Sequence, residues 1–163
     1  MIHISQKDSI SLLLILNGIG IFGRLIPNYL ADRLTGPLNL LIPFAFLSGL
    51  CMFGWIGVRD RAGLITFAAF YGIGGAGIQG LFPATLSSLT KDLRKAGVRM
   101  GMVFSICSFA CLTGAPIAGA LVQRGHGDYM YGQVFAGSVL LAGCLTMTAA
   151  RIAQTGLVLR TRM

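Results

Sequence analysis

The sequence predicts an all-α polytopic membrane protein, a bundle of five transmembrane helices. Of the 163 residues, 55% are hydrophobic and only 11% are charged, whereas ordinary soluble domains carry about 25% charged residues. The five acidic residues are all aspartates, and each lies outside or at the edge of a long apolar run. A bilayer demands this segregation, because a charge at its centre is energetically costly. The expected environment is therefore a lipid bilayer.

Five apolar runs are long enough to cross about 30 Å of hydrocarbon, which takes about 20 helical residues. They are residues 10–30, 38–58, 63–89, 100–122 and 132–153. The third run exceeds the minimum, so its helix is expected to tilt or to extend beyond the membrane. The connectors between the runs are short, which makes sequential helices antiparallel. Residues 1–163 are therefore expected to form a single transmembrane domain.

The basic residues of the connectors predict the orientation of the bundle. One side carries eight of them and the opposite side carries four, which leaves Arg24 inside a run. The eight are Arg33, Lys91, Arg94, Lys95, Arg99, Arg151, Arg160 and Arg162, and the four are Lys7, Arg59, Arg61 and Arg124. This bias predicts a cytoplasmic C-terminus and an N-terminus on the other side. The net charge of +8 is thus interpreted as topology control, and nucleic acid binding is not expected.

Glycine is abundant within the predicted helices. Two stretches, residues 18–23 and 72–77, match the dinucleotide-binding pattern G-x-G-x-x-G. That motif requires a preceding strand and a following helix, whereas both matches lie inside membrane-length runs. Their glycines are interpreted as sites of close helix–helix approach. Gly74, Gly77 and, in the fourth run, Pro116 are also candidate gating residues, because glycine and proline permit bending. Tight packing alone explains the glycines nearly as well.

Arg24 is the most informative residue, because it lies within a predicted span. Two interpretations remain open. Its long side chain reaches back to the cytoplasmic interface, or it faces an aqueous cavity and binds an anion, since a guanidinium pairs bidentately with a carboxylate. Asn17 is seven residues earlier on the same helix face, and Gln79 is in the third span. Both are candidate substrate contacts, with interhelical hydrogen bonding as the alternative.

Asp32 and Arg33 directly follow the first span and are expected to open the first cytoplasmic connector. They form either a solvated pair that ends the helix or an interhelical latch, a candidate gate that is made in one conformation and broken in another. Cys107 and Cys111 share a helix face, but no histidine or acidic residue in that span completes a metal site with them. No enzymatic activity, metal or other cofactor is expected.

Several segments together carry a resemblance to a known family. Residues 16–27 (LNGIGIFGRLIP) are followed by residues 30–33 (LADR), and later come residues 100–106, 112–121 and 133–137. They resemble the monocarboxylate-transporter-like branch of the major facilitator superfamily, especially its fungal members. In order and spacing they correspond to spans eight to twelve of a twelve-span carrier, so the resemblance implies most of a C-terminal half.

The resemblance implies a secondary transporter of a small organic anion or related solute, in the plasma or vacuolar membrane. Arg24 occupies the position of an arginine that family members use in anion translocation. Gly20 stands where members often carry an aspartate, and no acidic residue or histidine lies deep in a span, which argues against proton coupling. Thr35 resembles a one-residue insertion before Gly36 and Pro37.

Family carriers hold their solute between two six-helix halves, and this sequence corresponds to less than one half. The chain alone is therefore expected not to transport unless it pairs with a full-length carrier, a separate N-terminal half or another copy of itself. Two alternatives are left open. One is a membrane interaction protein that does not transport, and the other is a gene-model fragment.

Overall fold

A computed structural model describes residues 6–90 and 92–155, with side chains described for residues 10–33, 35–90, 92 and 94–153. Within these ranges the chain forms five long α-helices and no strand. They are α1 (Gln6–Leu30), α2 (Pro37–Ile56), α3 (Arg61–Ser88), α4 (Leu93–Arg124) and α5 (Met130–Thr155). Each contains a stretch that is long and apolar enough to cross a membrane. The predicted all-α membrane fold is confirmed.

The predicted orientation depends partly on residues outside the described ranges. Lys91, Arg160 and Arg162 lie outside them, and for Lys7 only the backbone is described. The cytoplasmic placement of the C-terminus therefore stays a prediction.

The first helix runs further than the sequence predicted. Residues Ala31–Thr35, expected to belong to a connector, continue α1 as a π-helical turn. Gly36 closes this turn, because its backbone N–H donates to the carbonyl of Ala31 over 2.9 Å. Its φ of 84° is a conformation that glycine adopts without strain. Asp32 and Arg33 thus lie on a helical turn and not in a loop, which corrects the prediction.

The π turn fits the one-residue insertion that the resemblance implies at Thr35. A turn closed by i→i+5 hydrogen bonds holds one residue more than an α turn, so such an insertion is accommodated without breaking the helix. Pro37 then begins α2, at the first helical position, where a missing N–H leaves no hydrogen bond unmade.

The fourth helix also begins earlier than predicted. α4 starts at Leu93, where the carboxylate of Asp92 caps it by accepting the backbone N–H of Arg94 over 3.1 Å. The basic residues Arg94, Lys95 and Arg99 therefore lie on the first turns of a helix and not in a connector. With 32 residues, α4 is about 48 Å long. It exceeds the roughly 30 Å of hydrocarbon, so its basic end extends past the apolar layer.

Packing is centred on α3, which lies between α1 and α2, and α5 packs against α2. Leu41 of α2 and Leu81 of α3 are almost fully buried where these two helices meet. α4 packs only lightly against α3 and α5. None of the side chains described for α4 is buried. The bundle thus has a packed part and one helix with an uncovered surface.

Candidate functional site

A partly polar cavity of about 280 Å³ lies between α1 and α3. The three substrate-binding candidates from the sequence, Asn17, Arg24 and Gln79, line it together with Tyr71. The other lining residues are small or apolar: Leu16, Gly20, Gly72, Gly75, Ala76, Ile78 and Leu140. An apolar protein cavity of roughly 150 Å³ accepts benzene, so this space is large enough for a small organic molecule.

Arg24 and Gln79 join the two helices across this cavity. The Nη2 atom of Arg24 donates to the Oε1 atom of Gln79 over 2.6 Å. This distance is short for an N–H···O bond, as charge-assisted hydrogen bonds are. In this structure the guanidinium therefore reaches across to α3 and does not extend along α1 toward the interface. The interhelical hydrogen bond considered for Gln79 is present.

The contact lies within the apolar runs of both helices. Beyond it, the run of α1 continues six residues to Leu30, and α3 continues nine residues to Ser88. At 1.5 Å per residue this is about 9 Å and 14 Å of helix, so Arg24 lies inside the roughly 30 Å expected for the hydrocarbon but nearer to one edge than to the centre. Two polar side chains at that depth need a partner or a water-filled space. The structure gives them both a partner and a cavity.

Asn17 contributes a hydrogen-bond acceptor to the same cavity. Its Nδ2 atom donates to the backbone carbonyl of Leu13 over 2.9 Å, within α1. This leaves the Oδ1 atom as an acceptor, and the second N–H group of Nδ2 as a donor, for a ligand. Among the described residues that line the cavity, Arg24 is the only one with a formal charge at neutral pH, and none is a carboxylate.

Tyr71 was not among the residues selected from the sequence. It precedes Gln79 by eight residues, so it lies on the same face of α3, and this spacing is the signal that would have found it. Its ring stacks on Phe67 at a centroid distance of 5.5 Å, and Phe67 stacks on Trp55 at 4.9 Å. The stack holds the Tyr71 ring in place at the cavity wall.

The glycines of the two G-x-G-x-x-G stretches bring α1 and α3 into backbone contact. A Cβ atom placed on Gly23 would lie 2.9 Å from the Cα and carbonyl oxygen of Ile73. One placed on Gly72 would lie 3.2 Å from the carbonyl oxygen of Leu16. Gly18, by contrast, has no atom within 4 Å of such a Cβ. The contacts at Gly23 and Gly72 support the interpretation of these glycines as sites of close helix–helix approach.

The gating candidates on α3 face the opposite neighbour. A Cβ atom on Gly74 would lie 2.5 Å from the Oγ atom of Ser48, and one on Gly77 would overlap the Phe44 ring. Both partners belong to α2, so α3 presents glycine to α1 and to α2. Whether Gly74 and Gly77 act as gates is a separate matter, and that role stays a prediction.

The other gating candidates lie away from the cavity. Pro116 is exposed within α4, and the helix is continuous through it. Asp32 and Arg33 are exposed on the π turn. The guanidinium carbon of Arg33 is 5.3 Å from the centroid of the Tyr29 ring, one helical turn earlier, which is within the range of a cation–π contact. The latch between helices stays a prediction.

Comparison with known proteins shows which proteins this chain is related to. It is 44% identical over 149 residues to an MFS-type transporter of Gibberella zeae, an alignment that covers 91% of this chain and 34% of the relative. This chain is a relative of fungal MFS-type transporters. It is also 37% identical over 160 residues to the MFS-type transporter opdF of Penicillium oxalicum, covering 98% of this chain and 37% of that protein.

A further relative is the aspyridones efflux protein apdF of Emericella nidulans, 33% identical over 146 residues, or 89% of this chain and 30% of the relative. The chain thus spans about a third of the length of the curated relatives that it matches. None of the protein-family models matches it, and no solved structure matches it. The relatives support membership of the major facilitator superfamily, and their names describe transport and not catalysis.

Proposed function

We propose that this chain is part of the C-terminal half of a monocarboxylate-transporter-like carrier, corresponding to spans eight to twelve. The carrier moves a small organic anion across the plasma or vacuolar membrane, and its C-terminus faces the cytoplasm. The observation that carries the proposal is Arg24, a cation within the apolar run of α1 that lines a cavity without a carboxylate among its described walls. A charge in this position is a functional site by default.

In this proposal each residue of the cavity has a role. Arg24 binds the carboxylate, Asn17 accepts a hydrogen bond from a donor on the solute, and Gln79 completes the polar wall. Tyr71 and the neighbouring apolar side chains contact the rest of the molecule. The solute completes its binding site with helices supplied by an N-terminal half, a full-length carrier or another copy of this chain, because carriers of this kind place the solute between two halves.

The proposed gating residues connect this site to movement of the helices. Gly74 and Gly77 allow α3 to change its path beside α2, and Pro116 does the same for α4. Asp32 and Arg33 form the cytoplasmic latch. These assignments rest on residue type and position.

A chimeric carrier tests the proposal. The matched third of the Gibberella zeae transporter is replaced by this chain, and uptake of radiolabelled benzoate is measured in membrane vesicles. We expect Arg24→Gln to lower benzoate transport at least about tenfold, because a desolvated charge pair loses one partner. Arg24→Lys keeps the charge but not the bidentate geometry, so it should retain part of the activity.

Ile21→Ala is the matched control for this experiment, since Ile21 is on the same helix and 57% exposed. It should transport benzoate at the rate of the unchanged chimera. Benzoate transport that survives Arg24→Gln at full rate would contradict the anion-binding role.

A second candidate function is that of a membrane interaction protein that does not transport. The observation that favours it is the uncovered surface of α4, where none of the described side chains is buried. Such a helix can associate with the bundle of a full-length carrier. Its test concerns the whole molecule and is given in the Discussion.

A further inference from the structure

We propose that a second cavity, at the end of the bundle where α3 and α5 finish, binds an anionic phospholipid, with an acyl chain inside the cavity and the headgroup at Arg151. The described lining residues of this cavity come from α2, α5 and the last turns of α3, and none of them from α1. The lipid site is therefore separate from the cavity at Arg24.

The size and lining of the second cavity suit a hydrocarbon chain. Its volume is about 220 Å³, larger than the roughly 150 Å³ at which an apolar cavity accepts benzene. An unfilled space between membrane helices loses the van der Waals contacts that hold such helices together, and an acyl chain restores them. The apolar side chains of the lining include Leu38, Leu41, Phe82, Leu86, Leu89 and Met147.

Thr85 adds a hydrogen-bonding group to this apolar lining. It is only 6% exposed, and its Oγ1 atom has no hydrogen-bond partner among the described residues. A buried hydroxyl group without a partner is costly, and folded proteins leave few such groups unpaired. A ligand with an acceptor next to its hydrocarbon chain supplies the partner, and the ester carbonyl of a phospholipid is such an acceptor.

Two guanidinium groups lie at the end of the cavity that is nearer to the membrane surface. Arg151 lines the cavity together with Leu89, and the Nη1 atom of Arg99 donates to the carbonyl oxygen of Leu89 over 3.4 Å. Leu89 directly follows α3, and Arg151 lies four residues before the end of α5. Guanidinium groups bind phosphate oxygens through paired hydrogen bonds, and basic pockets between membrane helices bind the headgroups of anionic lipids.

These features follow the order of the parts of a phospholipid. Along α3, Phe82 comes first, Thr85 follows one turn later, and Leu89 lies a further turn on, beside the two guanidinium groups. Hydrocarbon, ester and phosphate follow one another in the same order along the lipid. A soluble anion has no group for the apolar walls, and an apolar helix of a partner has none for the cations, so the lipid is the occupant that fits best.

Native mass spectrometry of the full chain in mild detergent tests the site. Dioleoyl phosphatidylserine carries a net negative charge, whereas dioleoyl phosphatidylcholine has the same acyl chains and no net charge. We expect the chain to bind phosphatidylserine at least about fivefold more tightly, which is the effect of one basic residue near a membrane surface. Equal retention of the two lipids, or displacement of phosphatidylserine by sodium phosphate, would overturn the proposal.

Arg151→Gln tests the position of the headgroup. It should remove most of the preference for phosphatidylserine and leave the retention of phosphatidylcholine unchanged. Arg124→Gln is the matched control, since it removes the same charge from an exposed residue at the opposite end of α4 from Arg99, and it should keep the preference. A preference that survives Arg151→Gln, or that falls equally in both variants, would contradict a headgroup site at Arg151.

Ala150→Phe tests the position of the acyl chain without any change of charge. Ala150 lines the cavity, whereas its neighbour Ala149 does not, and both are exposed. We expect Ala150→Phe to lower the retention of both lipids, because the ring occupies part of the cavity, and Ala149→Phe to leave it unchanged. Equal retention in these two variants would place the lipid elsewhere on the chain and overturn the proposal.

Thr85→Val removes the hydroxyl group and keeps a similar shape. We expect both lipids to bind about threefold more weakly, because one hydrogen bond to their common ester is lost. The melting temperature of the lipid-free chain should stay equal or rise, because an unpaired buried hydroxyl group is gone. A lower melting temperature would show that the hydroxyl group is paired within the chain and would contradict its role toward the lipid.

The chimera with the Gibberella zeae transporter repeats the comparison in a chain of the relative's full length, of which the matched region is 34%. We expect the chimera to keep the preference for phosphatidylserine and to lose it in Arg151→Gln. If a helix of the remaining part covers the cavity, the unchanged chimera shows no preference, and that result would overturn the lipid site. Benzoate transport by the same chimera is measured separately, so either site can fail without the other.

Discussion

At the scale of single residues, the cavity between α1 and α3 combines one cation, one free amide oxygen and an aromatic ring. Arg24 could be identified from the sequence because a charge in a long apolar run is unusual whatever surrounds it. The same reasoning selected Asn17 and Gln79 as polar residues in predicted spans. The structure places all three along one cavity, although their role as substrate contacts stays a proposal.

Asn17 leads to a prediction about solutes that carry a hydroxyl group. Its Oδ1 atom accepts hydrogen bonds, while one of the two N–H groups of its Nδ2 atom donates to the Leu13 carbonyl. We expect Asn17→Ala to lower the preference for 4-hydroxybenzoate over benzoate by about threefold to tenfold, the range that one net hydrogen bond supplies. The ratio of the two dissociation constants in nanodiscs measures this. An equal loss for both compounds would show that Asn17 acts on packing and not on the hydroxyl group.

Tyr71 had one signal in the sequence, its spacing of eight residues from Gln79 on one helix face. That spacing does not show that this face meets α1, because its place in the cavity depends on how α3 is rotated against α1. That rotation follows from the backbone contacts of the glycines, which the sequence indicates only as a tendency to pack closely. Leu140 of α5, the one cavity residue from a third helix, carries no signal in the sequence.

At the scale of helices, the apolar runs predicted the number and approximate place of the five helices. They did not predict where α1 ends or where α4 begins. The π turn at Ala31–Thr35 has the composition of a connector, and its geometry depends on one hydrogen bond to Gly36. The start of α4 did have a signal, the capping residue Asp92. The basic residues that follow it are typical of a membrane-side connector, so the sequence placed the start of this span later.

The packing of α1 on α3 leads to a prediction about stability. Gly23→Ala places a methyl group 2.9 Å from the backbone of Ile73, and a backbone cannot move aside as the end of a side chain can. We expect a loss of about 1–3 kcal/mol, the usual cost of overpacking. Thermal unfolding of the chain in mild detergent measures the difference.

Gly18→Ala is the matched control, since it makes the same substitution on the same helix where no atom lies within 4 Å. It should leave the melting temperature unchanged or raise it slightly, because alanine favours a helix over glycine. Equal melting temperatures for the two variants would contradict the close approach at Gly23.

At the scale of the whole molecule, the described chain is a packed group of α1, α2, α3 and α5 with α4 only lightly attached. The sequence identified α4 as a span, because its length and hydrophobicity are those of any membrane helix. It could not show that α4 is only lightly packed, since that depends on the arrangement of the other helices. The relatives are about three times as long as this chain.

The uncovered surface of α4 leads to a prediction about association. We expect the chain, co-expressed with the full-length Gibberella zeae transporter, to be recovered with it in mild detergent. Replacing Phe109 and Leu112, which are 71% and 73% exposed, by alanine should lower the recovery, because apolar packing area is lost. Recovery without any benzoate uptake beyond that of the relative favours the interaction protein.

Leu13→Ala on α1, where the side chain is 60% exposed, is the control for general lipid-facing substitutions and should leave recovery unchanged. If the two α4 replacements have no effect, or if the chain is not recovered at all, α4 is not the surface of association.

The backbone contact between α1 and α3 has a consequence for the shape of molecules that fit beside Arg24. Gly20 and Gly72 line the cavity, so part of its boundary is main chain, which has no rotamers with which to yield. The width of the cavity is then set by the separation of the axes of α1 and α3, and it cannot adjust to the ligand. We expect thin, planar compounds to enter the cavity. Compounds with a bulky tetrahedral carbon next to the acid group should be excluded because they are too thick, regardless of their charge.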